Sequence, residues 1–106
     1  MYYRLFTTRE FDNDFNSLDQ SAKLRVKKIM DQLKEKGDCI GKPIRYPYFR
    51  EKKFGEKRLY FLVYEDYMVI LALAISNKKA QQETIDKIIL DLENYKETIE
   101  KKIKEL

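Results

Sequence analysis

The chain has 106 residues, with 22 Lys or Arg against 18 Asp or Glu, for a formal charge of +4. That length is one domain's worth, residues 1–106, and 43% hydrophobic content with 8 Tyr and 6 Phe suits a folded domain rather than a disordered one. With no histidine and one cysteine, Cys39, the sequence excludes a His-based triad, an intramolecular disulfide and a thiolate zinc cluster. The longest apolar run, Met68–Ile75, falls far short of the ~20 residues that a spanning helix needs. The start, Met1-Tyr-Tyr-Arg-Leu-Phe, turns polar at Thr7 and has no signal-peptide pattern. The expectation is a cytoplasmic protein without membrane contact.

Tyr2–Phe6 alternates as a short strand, with Tyr3 and Leu5 on one face. Thr7 and Glu10 form a capping box, and Phe11, Phe15 and Leu18 follow as one helical stripe. Asp19 is placed to cap a second helix, whose apolar face is Ala22, Val26, Ile29, Met30 and Leu33. Periodicity leaves open whether the helix breaks near Leu18–Gln20 or runs through. Gly37 is expected as the C′ glycine.

Gly41, Pro43 and Pro47 keep the next stretch extended and at an edge. Tyr48–Phe54 reads as a strand, Gly55-Glu56 as a turn and Arg58–Tyr64 as a second strand. The apolar run Met68–Ile75 reads as a central strand. Three strands joined by short turns make an antiparallel meander. Ser76 or Asn77 caps a final helix with the stripe Ile85, Ile88, Ile89, Leu92, Tyr95, Ile99, Ile103 and Leu106. A continuous helix of ~28 residues spans ~42 Å, more than one small sheet covers. Its C-terminal half therefore either takes a partner, a second copy or a different protein, or is a frayed tail.

The charge is unevenly placed. Residues 42–58 hold Lys42, Arg45, Arg50, Lys52, Lys53, Lys57 and Arg58 against Glu51 and Glu56, while the rest of the chain is close to neutral. Tyr46, Tyr48, Phe49 and Phe54 lie among these cations, a mixture that suits a polyanion with stackable bases. Strand alternation puts Arg50 and Lys52 on one face. With suitable register Arg58 joins them in a phosphate cradle, with Glu51 an ion-pair partner pointing elsewhere. Lys78 and Lys79 fall in the first turn of the last helix, where cations oppose the helix dipole unless an anion binds there.

Two segments carry a resemblance: Phe49-Arg-Glu-Lys-Lys-Phe-Gly-Glu-Lys-Arg-Leu-Tyr-Phe, and Ile75-Ser-Asn-Lys-Lys-Ala-Gln-Gln-x-x-Ile85. With the element order, they make the chain similar to the RelE/ParE toxin superfamily, above all to archaeal-type RelE. The resemblance implies an α+β fold of order β-α-α-β-β-β-α, an antiparallel sheet flanked by an N-terminal helical hairpin and a long C-terminal helix. It implies the toxin of a type II toxin–antitoxin system, a metal-independent endoribonuclease that cuts mRNA on the ribosome and needs no cofactor. The implied partner is a cognate antitoxin, in a homodimer or a heterotetramer.

By the same resemblance the catalytic cations are Arg50, Lys52, Arg58 and Lys78. Lys42, Arg45, Lys53, Lys57, Tyr60 and Lys79 complete the RNA-binding set. Arg50, Arg58 and Lys78 would stabilise the phosphorane, with Lys52 as the acid. The family's catalytic tyrosine or histidine lies in the first turns of the final helix. Here that region reads Lys79-Ala-Gln-Gln-Glu-Thr, so the base stays open among Lys78, Glu51, Tyr60 and ribosomal RNA. The alternatives are a gyrase-directed ParE-like toxin and a non-catalytic binding module of the same fold.

Overall fold

The computed structural model describes residues 2–105. Its sheet has the order β1-β5-β4-β3-β2, built from β1 (Arg4–Thr7), β2 (Lys42–Ile44), β3 (Tyr46–Phe54), β4 (Lys57–Tyr64) and β5 (Val69–Asn77). The β3-β4-β5 meander is antiparallel as expected. β1 is the exception: it pairs parallel to β5, because the helical hairpin α1 (Arg9–Asn16) and α2 (Gln20–Lys36) crosses over between it and the meander. The fold class is the α+β architecture read from the sequence.

The chain does break between the two N-terminal helices, and Asp19 caps the second by accepting from the Ala22 N–H at 2.8 Å. The first cap lies one residue later than the sequence suggested. Thr8 accepts from the Phe11 N–H at 3.0 Å, while Thr7 is spent on the β1 ladder. Gly37 does not end α2 in a left-handed turn, since its φ is −46°. Its need is for space: a Cβ there would overlap the Ile70 side chain.

Each face of the sheet has its own core. On the α1/α2 side Phe11, Val26, Ile29 and Leu33 pack on Leu59, Phe61, Val63 and Ile70. On the opposite side Phe49, Tyr60, Leu62, Leu71 and Leu73 are covered by α3 (Gln81–Leu90) and α4 (Leu92–Glu105). The single 42 Å helix is thus corrected. At Asp91, with φ −107° and ψ 8°, the helix ends; the Asp91 N–H bonds the Ile88 carbonyl, and the Asp91 carbonyl accepts from Tyr95 to start α4. The bend keeps the stripe on a molecule only 35 Å in its longest dimension.

The uncovered stripe that argued for a partner at residues 95–106 is corrected with it. Ile99 is fully buried in the chain's own core, and Tyr95 and Ile103 pack beside it. Tyr67 donates to Glu100 at 2.7 Å and Lys102 sits 5.7 Å above the Phe6 ring, so α4 is not frayed through this stretch. Leu106 lies outside the described residues. None of the described helices is long and apolar enough to cross a membrane.

Candidate RNA-binding site

The turn at Gly55-Glu56 fixes which side chains share a face. It pairs Phe54 with Lys57, and the ladder then pairs Lys53 with Arg58, Lys52 with Leu59, Glu51 with Tyr60 and Arg50 with Phe61. Directly opposed residues of an antiparallel pair point to the same side. Glu51, Lys53 and Arg58 therefore share the α3/α4 face, and Arg50 and Lys52 rise from the other. The single face carrying Arg50, Lys52 and Arg58 does not exist; the register is offset from it by one residue, which exchanges faces.

Arg58 is not an exposed surface arginine either. Its side chain is 8% exposed and its Nε lies 3.5 Å from Glu51 Oε1, whose side chain is 3% exposed. Gln81, in the first turn of α3, donates to the same Glu51 oxygen at 2.7 Å. Lys42, from the edge strand β2, stands 3.8 Å from Glu51 Oε2. Arg58 Nη1 is buried and has no partner among the described residues.

These groups line one open cleft of about 470 Å³, formed by Gly41, Lys42, Glu51, Lys52, Lys53, Arg58 and Gln81. Four cations against one carboxylate make it electropositive. Gly41 sets its wall: at φ +70° it lies against the Glu51 carbonyl, where any Cβ would collide. Arg50 serves the same wall from behind. It donates from Nε to the Ile40 carbonyl and from Nη2 to the Gly41 carbonyl, both at 2.9 Å, and from Nη1 to Pro47 at 3.4 Å. Arg50 is thus a staple for the β2–β3 edge, not a free phosphate ligand.

The other sequence candidates scatter. Tyr60 is fully buried and hydrogen-bonded to Ser76 at 2.9 Å. Burial, first of all, raises its phenol above the ordinary value, and a fully buried ring offers RNA no surface. Lys78 and Lys79 are exposed, but in the turn before α3 rather than in its first turn; the Asn77 side chain caps that turn by accepting from the Ala80 N–H at 2.9 Å. Neither lysine lines the cleft. Arg45, exposed at φ 63°, sits between β2 and β3 away from it, and Lys57 lines a different cleft. Lys52 borders the cleft from the far side of its strand.

Gln81 was not a sequence candidate. Nothing in its spacing marks it, because its contact with Glu51 is made only when α3 folds back over β3. The pairing of Glu51 with Arg58 was within reach, since a two-residue turn at Gly55-Glu56 dictates the register.

No family model matches the chain, and no curated protein matches it. Solved structures do. A free double-arginine mutant of the Escherichia coli toxin RelE aligns with a TM-score of 0.69 at 17% identity, covering 83% of this chain and 99% of that one. The RelBE2 toxin–antitoxin complex of Mycobacterium tuberculosis gives 0.65 at 17% identity, covering 74% and 100%. The archaeal RelE–RelB complex of Pyrococcus horikoshii gives 0.64 at 18%, covering 74% and 97%. Across nearly the full length of those chains, this protein has the fold of the RelE toxins.

Proposed function

We propose that this chain is the toxin of a type II toxin–antitoxin pair and an endoribonuclease acting on mRNA at the ribosome. The observation that carries the reading is the cationic cleft, where Lys42, Lys52, Lys53 and Arg58 gather around one carboxylate. A phosphate is the anion that such a set of cations suits. The RelE fold and the antitoxin-bound state of several neighbours support the toxin assignment.

The chemistry follows from the cleft. Glu51 Oε1 is held by Gln81 and Arg58, while Oε2 has only Lys42 at 3.8 Å. Oε2 takes the proton from the RNA 2′-hydroxyl, and the 2′-oxygen attacks the adjacent phosphorus. Arg58 and Lys42 stabilise the charge on the phosphorane oxygens. The 5′-oxygen leaves with a proton from the Lys53 ammonium. The products are a 2′,3′-cyclic phosphate and a 5′-hydroxyl. With no tyrosine or histidine in the first turn of α3, positioning by the ribosome supplies much of the rate.

The test is in vitro translation with the purified protein, followed by primer extension on the mRNA. Cuts in the ribosome-bound message that vanish in Glu51→Gln support the reading. Loss of DNA supercoiling without cuts overturns it in favour of a gyrase poison, and neither effect overturns it in favour of a binding module.

A further inference from the structure

β1 ends at Thr7, opposite Ala72, but β5 runs on to Asn77. A bulge at Leu73, opposite the step from Tyr60 to Phe61, shifts the β5 backbone by one residue. The backbone groups of Ile75 and Asn77 then face the side that β1 has vacated, while those of Ala74 and Ser76 face β4. Two side chains of the α1 region cover part of this edge. Thr8 Oγ1 donates to the Leu73 carbonyl at 2.7 Å, and Asp14 Oδ2 accepts from the Ile75 N–H at 2.9 Å. The Ile75 carbonyl and the Asn77 N–H are left facing a cleft of about 490 Å³ between α1 and α3.

We propose that this edge is a strand-addition site, taking an extended segment of a protein partner parallel to β5. The backbone groups select the occupant and its direction. An antiparallel residue opposite Ile75 needs both its N–H and its carbonyl, and Asp14 already holds the N–H. A parallel residue opposite Ser76 needs only the Ile75 carbonyl and the Asn77 N–H, the two groups that are free. Paired strands fill such edges with main-chain hydrogen bonds, and alternate side chains give specificity.

The walls set those side chains. The residue opposite Ser76 points to the α3 side, toward Thr84 and Ile88, and suits a small apolar group. Its two neighbours point to the α1 side, where Glu10 and Asp14 outnumber the one cation, Lys57, and favour Lys or Arg. The segment therefore reads basic-apolar-basic. The site is separate from the Arg58 cleft and does not rest on the nuclease reading.

The probe is the blocked peptide Ser-Lys-Val-Lys-Ser, titrated into the full-length ¹⁵N-labelled protein with amide hydrogen exchange as the readout. At ten times Kd, with roughly nine-tenths of the protein bound, exchange at the Asn77 N–H is expected to slow about tenfold. The Ile75 N–H, already held by Asp14, stays unchanged. The same peptide with an N-methylated valine, which cannot donate to the Ile75 carbonyl, and the Ser-Glu-Val-Glu-Ser peptide are both expected to fail. No slowing at about 5 mM peptide, in the range of weak contacts, overturns the proposal. Equal binding of the N-methylated peptide overturns it as well, and so does equal binding of the acidic one. A single-stranded RNA oligonucleotide that protects Asn77 instead would make the edge a nucleic-acid contact and also overturn it.

Discussion

Glu51 Oε1 and Arg58 Nε lie 3.5 Å apart across the β3–β4 hairpin, with both side chains more than nine-tenths buried. Both line an electropositive cleft together with Lys42, Lys52 and Lys53. The pair is structural and functional at once, so its two halves have to be tested by different substitutions.

Arg58→Ala strands the Glu51 carboxylate in a buried place and is expected to cost about 3–5 kcal/mol in urea unfolding. Glu51→Gln keeps the shape and a hydrogen-bonding carboxamide, so it is expected to cost less while losing RNA cleavage. A Glu51→Gln protein that cuts RNA at the wild-type rate would remove Glu51 as the base.

Lys53→Ala removes a cation that makes no ion pair among the described residues. RNA binding is expected to weaken evenly across sequences, with the slope of log K against log salt reduced by about 0.7. Filter binding of a single-stranded RNA at several salt concentrations measures it. A slope that does not change places the phosphates elsewhere.

Ile99→Ala opens a cavity in the α3/α4 core, and a loss of about 2–5 kcal/mol is expected in thermal or urea unfolding. Truncation after Asn94 is expected to destabilise the chain further, because it removes Ile99 and Ile103 together. Unchanged stability in either variant would return this stripe to the role of a partner surface.

Tyr3 is buried and donates to both Glu65 oxygens at 3.0 Å. Burial, then that carboxylate, pushes its phenol from 10.0 up to about 12. The folded state thus favours the neutral phenol. Its contribution to stability is complete below pH 10 and is lost as the pH rises toward about 12. Stability measured across that window is expected to fall, and to fall less steeply in Tyr3→Phe. Equal slopes for the two proteins would show that Tyr3 ionises alike in both states.

What the sequence determined by itself was local. Asp19 announced its cap, the alternation of Leu59, Phe61 and Val63 announced a strand with one face in a core, and the 42–58 charge excess announced which hairpin would be electropositive. The misplaced features all depend on a second element. Thr7 lost the cap to Thr8 because β5 claims its backbone, and Arg50 left the cationic set because the Ile40 and Gly41 carbonyls come within its reach. The final helix bends at Asp91 because a flat stripe has to follow a short sheet. The hairpin turn brings Arg58 to Glu51, but Gln81 reached the same carboxylate only when α3 folded over β3. Periodicity reports which side of its own element a residue faces; which other element arrives there, and so whether a charge is solvated, paired or left with a bare N–H, is decided by packing.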